Sequence, residues 1–342
     1  MRHSFAIRLC QIIGNSGPCA QEDGRRAVSI GRKRSSAMSK IAFIFPGQGA
    51  QVCGMGQDFY EQTETGKQVF DTATEILGFS MPELCFEKND RLDITEYTQP
   101  AMVTASLAMM KVLMERTGIK PDAAAGLSLG EYPAMAAAGV MSVEDAIRTV
   151  RQRGILMQEA VPAGIGAMAA VLAMDAEEIE RVIEPIEGVQ IANYNCPGQI
   201  VISGKKEAVD EAAEKLKEAG AKRVIPLNVS GPFHSRMLTE AGEKLGKVLD
   251  TVEIHEPVIP YAANVTAEYV TKAEDVKPLL VKQVSSSVRW EQTMRMMLQD
   301  GVDTFIEIGP GKTLAGFMKK IDRNVRVINI EKLEDIEKVR EL

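Results

Sequence analysis

Apolar runs typical of strands alternate with helical patterns in the first half of the chain. Residues 41–45 (IAFIF) form a continuous apolar run that ends at a Pro-Gly pair, which predicts a buried parallel strand. A helical pattern follows over 97–118, and the run of small residues 122–126 predicts a second strand. Another helix is predicted over 143–160. Strands and helices in this order indicate a parallel α/β sheet.

The order of elements changes in the middle of the chain. Residues 167–174 (AMAAVLAM) predict a strand, and Asp175 with Glu178 predicts a capping box at the start of an amphipathic helix. Two further strands surround a Cys-Pro-Gly turn, and an amphipathic helix over 205–219 precedes a last strand. The order strand, helix, strand, strand, helix, strand is typical of a ferredoxin-like fold.

The α/β pattern returns after this middle segment. Helices are predicted over 235–250 and 277–299, and strands over 304–310 and 325–330. We therefore predict a large parallel-sheet α/β domain, hydrolase-like in architecture, that contains an inserted small ferredoxin-like domain. The predicted boundaries are 38–163 and 231–342 for the large domain and 164–230 for the small one.

Length, composition and charge limit the classes of protein. The 342 residues suffice for about two domains, and no apolar run approaches the roughly 18 residues of a membrane span. A net charge of −7 argues against nucleic acid as the partner. Five scattered cysteines without a CxxC pair fit a reducing compartment and neither a disulfide framework nor a zinc site. We therefore expect a cytoplasmic protein without a metal.

The first 37 residues differ from the remainder in charge. They carry seven Lys and Arg side chains against two acids, a net charge of +5 that leaves −12 for residues 38–342. An Arg- and Ser-rich segment of this kind is either a transit peptide or an extension without fixed structure. We expect the second for residues 1–37, with the fold beginning near Met38.

A serine between two glycines is the first candidate for chemistry. Residues 126–130 (GLSLG) match G-x-S-x-G and stand between a predicted strand and a predicted helix. Such a turn lifts the serine hydroxyl out at a helix N-terminus, where backbone N–H groups stabilise an oxyanion. An ordinary helix cap is the alternative, and the flanking strand and helix favour Ser128 as a nucleophile.

A serine nucleophile needs a base, and the chain has three histidines. His3 lies in the N-terminal extension, and His255 lies between two acids in a stretch that favours a surface position. His234 follows a Gly-Pro turn where the small domain rejoins the large one, and clefts form at such boundaries. His234 is therefore the candidate base.

Two glycine-rich stretches do not match nucleotide-binding motifs. After Gly47 and Gly49 a dinucleotide loop needs a glycine at position 52, where Val52 stands, and the next glycine, Gly54, is two places too late. GPGKT (309–313) resembles the end of a phosphate loop, but Ile306 stands where that loop needs a glycine. We expect no dinucleotide cofactor, although backbone N–H groups after the first strand can still face an anion.

Seven ordered motifs resemble those of malonyl-CoA:acyl carrier protein transacylases. They are FPGQGAQ (45–51), GLSLGEY (126–132), RGILMQEAVPAGIGAM (153–168), NYNCPGQIVISG (193–204), VSGPFHS (229–235), NVTA (264–267) and EIGPGKTLAG (307–316). One departure is Leu127, where many members have histidine. The resemblance implies that the chain moves a malonyl group from malonyl-CoA, a substrate, to the phosphopantetheine thiol of acyl carrier protein, without a cofactor.

The resemblance also implies roles for individual residues. Ser128 forms the malonyl ester, and His234 is the general base. Backbone N–H groups of Gln48 and Leu129 hold the oxyanion. The backbone carbonyl of Gln283 orients His234, which implies a dyad without an acid.

Selection of malonyl-CoA over acetyl-CoA requires a cation for the free carboxylate. The resemblance assigns this clamp to Arg153, whereas the residues alone leave Arg148 and Arg151 equally open. The alternative for Arg153 is an exposed position on its helix, paired with a nearby glutamate. Phe233, next to the candidate base, is expected to line the acyl pocket.

Three other functions stay open from the residues. An α/β-hydrolase would place an acid between the serine and a late histidine, whereas 108 residues follow His234. A non-catalytic module that binds acyl groups or carrier protein would leave the serine turn unexplained. A stand-alone polyketide-pathway acyltransferase would share the chemistry of the enzyme of fatty acid synthesis and differ in pathway.

The expected partners are malonyl-CoA and acyl carrier protein, with neither nucleic acid nor a membrane. Carrier proteins are acidic, so a local basic patch is expected for docking. Candidates are Lys205, Lys206, Lys282 and Arg289. The family resemblance implies a monomer.

Overall fold

The computed structural model describes residues 39–229, 231–340 and 342, so the predictions for residues 1–37 lie outside the described residues. Within this part the chain forms ten strands: β1 (Ile41–Phe45), β2 (Ala123–Gly126), β3 (Gly166–Leu172), β4 (Val189–Cys196), β5 (Gln199–Lys205), β6 (Arg223–Pro226), β7 (Tyr261–Ala262), β8 (Tyr269–Val270), β9 (Thr304–Ile308) and β10 (Arg326–Ile330).

The same ranges contain twelve α-helices: α1 (Gln57–Gln62), α2 (Glu64–Leu77), α3 (Met81–Phe86), α4 (Thr95–Thr117), α5 (Glu131–Ala137), α6 (Val143–Glu159), α7 (Ala176–Ile183), α8 (Lys206–Glu218), α9 (Thr239–Leu249), α10 (Ala273–Gln283), α11 (Trp290–Gln299) and α12 (Thr313–Ile321). Short 3₁₀ helices cover Ser128–Gly130, Arg236–Leu238 and Leu333–Val339. None of these described helices is both long and apolar enough to cross a membrane.

The large sheet has six strands in the order β10-β9-β1-β2-β7-β8. Neighbouring strands are parallel except for the antiparallel pair β7 and β8. Phe43 and Phe45 of β1 pack in a core on one face, and Ala42 and Ile44 pack with Trp290 in a core on the other. A strand buried on both faces is what a continuous apolar run predicts. The predicted parallel α/β sheet is confirmed.

The small sheet is antiparallel, with the order β4-β5-β3-β6. Helices α7 and α8 cover one of its faces through a separate core that includes Ile179 and Val209. On the other face Met168 and Val201 join the main core of the large sheet. The chain order β3-α7-β4-β5-α8-β6 is the predicted ferredoxin-like one. The domain boundaries stay a prediction.

The single helix predicted over 277–299 is wrong, because the structure divides it into α10 and α11. In the break, the Ser287 hydroxyl donates to the Ile191 carbonyl at 2.6 Å, and the Val288 N–H donates to the Ala192 carbonyl at 2.8 Å. This segment therefore pairs with β4 instead of continuing the helix. Serines favour such breaks in a helix because their hydroxyls can bond to backbone groups in non-helical conformations.

Two predicted helix starts also differ in detail. Helix α7 begins at Ala176, directly after Asp175, but the Asp175 side chain makes no capping hydrogen bond, so the predicted capping box is wrong. Helix α9 begins only at Thr239, because residues Arg236–Leu238 form a tighter 3₁₀ turn. The apolar spacing sets where a helix lies, whereas side-chain rotamers and neighbouring loops decide its first turn.

Candidate active site

Ser128 occupies a sharp turn between β2 and α5. Its φ is +53°, in the left-handed region that costs a residue with a side chain about 1–3 kcal/mol. A Cβ at Gly126 would lie 1.8 Å from the Gly130 carbonyl oxygen, and one at Gly130 would lie 2.2 Å from the Phe45 oxygen. Both glycines are therefore required for the close approach of strand and helix. The strand-turn-helix context expected for G-x-S-x-G is present.

Asn264 braces this turn from the loop after β7. Its side-chain carbonyl accepts the Ser128 N–H at 2.6 Å, and its amide donates to the Gly126 carbonyl at 2.7 Å. The Asn264 side chain thus bonds to backbone groups on both sides of Leu127. A satisfied bond at each position offsets part of the strain of the turn.

The His234 imidazole lies between the Ser128 hydroxyl and two backbone carbonyls. Its Nε2 is 2.7 Å from Ser128 Oγ, while Nδ1 is 2.9 Å from the Gln283 oxygen and 3.1 Å from the Ser286 oxygen. Carbonyl oxygens only accept, so Nδ1 carries the hydrogen and Nε2 is free to accept the Ser128 proton. The break between α10 and α11 provides the carbonyl of Ser286.

The charge state of His234 suits a base. Burial, and to a lesser extent the positive charge of Arg153, lowers the pKa of this imidazole to about 4, although the hydrogen bonds to the Gln283 and Ser286 carbonyls act in the opposite direction. The imidazole is therefore neutral near pH 7. A neutral ring with its Nδ1–H held by carbonyls has the geometry of a serine–histidine dyad.

Arg153 extends from α6 into the same place, and only 1% of its surface is exposed. One terminal nitrogen donates to Gln99 Oε1 at 2.9 Å; the other donates to Gln283 Oε1 at 2.9 Å and to Ser128 Oγ at 3.2 Å. The guanidinium carbon is 5.7 Å from the centre of the Tyr132 ring. These hydrogen-bond acceptors are all uncharged, so the buried cation is held without a direct carboxylate.

The two other candidate arginines of α6 have partners elsewhere. Arg148 is exposed and pairs with Asp145 at 2.9 Å. Arg151 pairs with Glu96 at 2.8 Å, and its guanidinium lies 4.4 Å from the centre of the Tyr97 ring. The exposed, glutamate-paired alternative considered for Arg153 is wrong. Of the three arginines, only Arg153 contacts Ser128.

Gln48 and Leu129 both line the cleft that contains Ser128. The Gln48 side chain donates to Thr95 Oγ1 at 3.1 Å, which fixes the loop after β1 against α4. A Cβ at Gly47 would lie 2.5 Å from the Leu127 carbonyl oxygen, so this loop passes directly beside the serine turn. The oxyanion role of these two residues stays a prediction.

The cleft has a volume of about 810 Å³ and receives side chains from both sheets. Ser128, His234 and Arg153 lie along it, and Phe233 lines it as expected. Asn193, Asn195 and Gln199 contribute polar groups from the small sheet. His255 lies elsewhere, exposed beside Glu253. In the described ranges no three His, Cys, Asp or Glu side chains come together in a way that could hold a metal.

Four residues of this site have no predicted role from the sequence: Gln99, Glu131, Asn264 and Ser286. Glu131 and Asn264 could have been identified from the sequence, because both belong to motifs that carry the family resemblance. Gln99 lies near the start of α4, and nothing in its spacing distinguishes it from a surface glutamine. Ser286 could not be found, because its role depends on the unpredicted break in the helix.

Comparison with known proteins places these contacts in a family. The profile of the acyl transferase domain matches residues 42–333. A malonyl CoA-acyl carrier protein transacylase of Bacillus subtilis (strain 168) is 50% identical over 305 residues, which cover 88% of this chain and 96% of the relative. The chain belongs to the malonyl CoA-acyl carrier protein transacylase family.

Solved structures of the malonyl CoA-acyl carrier protein transacylase family share this fold. The protein of Clostridium perfringens is 44% identical with a TM-score of 0.85, covering 89% of this chain and 96% of that one. A malonyl-transacylase in complex with its type II PKS acyl-carrier protein is 39% identical with a TM-score of 0.86, covering 89% and 99%. The family resemblance drawn from the seven motifs is confirmed.

The close approach at the serine turn predicts a large cost for one added methyl group. Gly126→Ala should lower the free energy of unfolding by about 3 kcal/mol, because the backbone of Gly130 must move away. Gly316→Ala on α12 is the matched control: it meets no atom within 4 Å and should leave stability equal or raise it by up to about 1 kcal/mol. Urea denaturation measures both, and equal effects would contradict the packing argument.

The low pKa of His234 predicts a base that stays active in mild acid. The rate constant for modification of Ser128 by an uncharged sulfonyl fluoride should be nearly the same at pH 7 and pH 5, and fall only as the pH approaches about 4. A histidine with an ordinary pKa would lose about 25-fold between pH 7 and pH 5, because its imidazole would become protonated. A loss of that size would refute the assigned environment.

Proposed function

We propose that this chain transfers a malonyl group from malonyl-CoA to the phosphopantetheine thiol of acyl carrier protein through an ester on Ser128, and so supplies extender units for fatty acid synthesis. The contact that carries the proposal is the 2.7 Å approach of Ser128 Oγ to His234 Nε2, beside a buried guanidinium. Family membership supports the reaction: the chain spans 96% of a relative with this name at 50% identity.

The first half-reaction forms the malonyl ester. Ser128 Oγ attacks the thioester carbonyl of malonyl-CoA while its proton passes to His234 Nε2. The tetrahedral intermediate collapses, the bond from carbon to sulfur breaks, and the CoA sulfur receives the proton from His234 as it leaves. The carbonyls of Gln283 and Ser286 stabilise the transient imidazolium through its Nδ1–H.

The second half-reaction reverses these roles with a different thiol. The phosphopantetheine thiol of acyl carrier protein gives its proton to His234 and attacks the ester carbonyl. Collapse breaks the bond to Ser128 Oγ, which takes the proton back from His234. In both halves the negative oxygen needs N–H donors, and we assign the backbone amides of Gln48 and Leu129 to this task.

Arg153 supplies the specificity in this proposal. The malonyl group differs from the acetyl group by one free carboxylate, which needs a cation in a pocket that excludes water. The fork of a guanidinium matches two carboxylate oxygens and keeps its charge. Arg153 contacts Ser128 Oγ at 3.2 Å, so a carboxylate bound to it belongs to the acyl group carried on that oxygen.

A stand-alone polyketide-pathway acyltransferase is the second candidate. One observation favours it: a relative that is 39% identical over 89% of this chain was solved with its type II PKS acyl-carrier protein. The chemistry would be identical and only the carrier would differ. Transfer rates to carrier proteins of the two pathways would distinguish these uses.

We further propose that the enzyme works as a cytoplasmic monomer. Cys53, Cys85 and Cys196 are free thiols, which fits a reducing compartment. For carrier docking, the candidates Lys205, Lys206, Lys282 and Arg289 are all exposed. Lys206 forms an ion pair with Asp210, so it is the weakest of the four.

Acyl-enzyme formation tests the assigned nucleophile and base. Wild-type protein mixed with malonyl-CoA should gain the mass of one malonyl group, and Ser128→Ala should gain none. His234→Ala should load at least about 10³-fold more slowly, because the proton of Ser128 has no acceptor. His255→Ala, an exposed histidine, is the control and should load like wild type. A malonylated Ser128→Ala protein would exclude this nucleophile.

Arg153→Ala tests the carboxylate clamp. Malonyl transfer should lose about 2–5 kcal/mol in kcat/KM, the range for breaking a buried charge pair. Acetyl transfer should hold steady or improve, because the acetyl group never used the guanidinium. Arg148→Ala, an exposed arginine of the same helix, should change neither rate. Steady-state kinetics with both acyl-CoAs decide, and a parallel loss of both activities would place the clamp elsewhere.

A further inference from the structure

Glu131 is a buried carboxylic acid that the mechanism above does not use. It is the first residue of α5, directly after the serine turn, and 1% of its surface is exposed. Its Oε2 accepts the Gln283 side-chain N–H at 2.8 Å and the Asn264 backbone N–H at 3.2 Å. Glu131 therefore bonds to the two residues that brace Arg153 and Ser128.

A single amide separates this acid from the buried cation. The Gln283 side chain donates through Nε2 to Glu131 and accepts through Oε1 from Arg153 at 2.9 Å. The carboxylate thus compensates the guanidinium through one bridging side chain and makes no direct contact with its fork. Direct contact with Glu131 would instead occupy the group that we assign to the malonyl carboxylate.

Glu131 interacts with titratable and charged groups on neighbouring elements. Within the described part of the chain they include Arg153 from α6, Tyr132 from its own helix and Tyr261 from β7. The buried His234 imidazole lies on the other side of Gln283 and is neutral near pH 7. Burial raises the pKa of both tyrosines, so their hydroxyls are neutral. An ionised Glu131 and Arg153 therefore balance each other's charge.

A malonyl group changes this balance. Its carboxylate brings a second negative charge beside one cation, and that cation is only 1% exposed, so solvent screens the charges weakly. Two buried carboxylates that share one cation are relieved when one of them binds a proton. Glu131 is suited to do so because, as a neutral acid, its carbonyl oxygen can still accept from Gln283 and Asn264.

We propose that Glu131 takes up a proton from solvent when the malonyl carboxylate binds Arg153, and releases it when the malonyl group leaves with the carrier protein. The inference rests on the proposed function, because it requires a malonyl ester on Ser128 with its carboxylate on Arg153. Glu131 would act as a charge-compensating residue that never touches the substrate.

The surroundings of Glu131 suit this exchange. Burial raises the pKa of its carboxyl group to about 7, and the hydrogen bonds from Gln283 and Asn264 and the charge of Arg153 oppose that rise. At pH 8 the acid is about nine-tenths ionised and can take up a proton, whereas at pH 5.5 it is already protonated and cannot. Proton uptake should therefore appear above pH 7 and vanish in mild acid.

Proton counting during malonyl loading tests the inference. Full-length protein is mixed with malonyl-CoA in weakly buffered solution containing an indicator dye, and intact mass measures the ester formed in the same sample. Wild type should take up close to one proton per malonyl ester at pH 8 and less than about a tenth at pH 5.5. Ionisation of the released CoA thiol releases protons to the solution, which is the opposite of the proton uptake expected from Glu131.

Glu131→Gln is the matched control, because glutamine keeps the shape and an acceptor oxygen but cannot bind the proton. It should reach the malonyl-ester mass at the end point and show no uptake at pH 8. Loading of wild type with acetyl-CoA is a second control that does not depend on the variant folding, and it should also show no uptake. Uptake that equals wild type in the variant, or that accompanies acetyl loading, would overturn the inference.

The role of Glu131 and the proposed malonyl transfer can be contradicted separately. A malonyl-ester mass without proton uptake in wild type at pH 8 would overturn the role of Glu131 and leave the proposed function standing. Failure to form any malonyl ester would overturn the proposed function and this inference with it. Uptake in wild type at pH 8 that is absent at pH 5.5 and absent in Glu131→Gln would support both.

Discussion

Arg153 carries its charge to a place that water does not reach, and its terminal nitrogens meet only amide and hydroxyl oxygens. Burying such a cation costs several kcal/mol unless neighbouring groups are fixed to receive it. Three helices meet this condition together: α6 bears the arginine, α4 presents Gln99, and α10 presents Gln283. These three helices thus pack around one buried cation, the group that we propose binds the malonyl carboxylate.

The arrangement of Ser128 and His234 depends on a second constraint, which is backbone geometry. Ser128 and His234 both have positive φ, at +53° and +57°, and each follows a turn rich in glycine or proline. Strain of this kind persists only where the surroundings hold the chain in place. Asn264 does this for the serine, and the carbonyls of Gln283 and Ser286 do it for the imidazole.

Sequence patterns predicted the elements that depend on local periodicity. The strand at 41–45 follows from an apolar run buried on two faces. The serine turn follows from the spacing of its glycines, and the element order of the small sheet follows from the alternation of its apolar patterns. The break at 284–289 could not be predicted, because bonds to β4, far along the chain, replace those of a helix. Family motifs pointed to Arg153 where helical spacing could not. The contacts of Gln99 and Ser286 depend on tertiary packing, which sequence patterns do not show.

The hydrogen bonds between the small sheet and the 284–289 segment bear on how such proteins can be recombined. Gln190 of β4 donates to the His234 carbonyl at 3.0 Å, and Tyr194 donates its N–H to the Val288 carbonyl at 2.9 Å. The strand that borders the cleft is therefore bonded to the segment whose Ser286 carbonyl contacts the His234 imidazole. A chimera that imports a foreign small sheet, as a graft to change acyl selectivity, must import its matching segment after α10 as well. Otherwise the new strand and the old histidine support would be out of register.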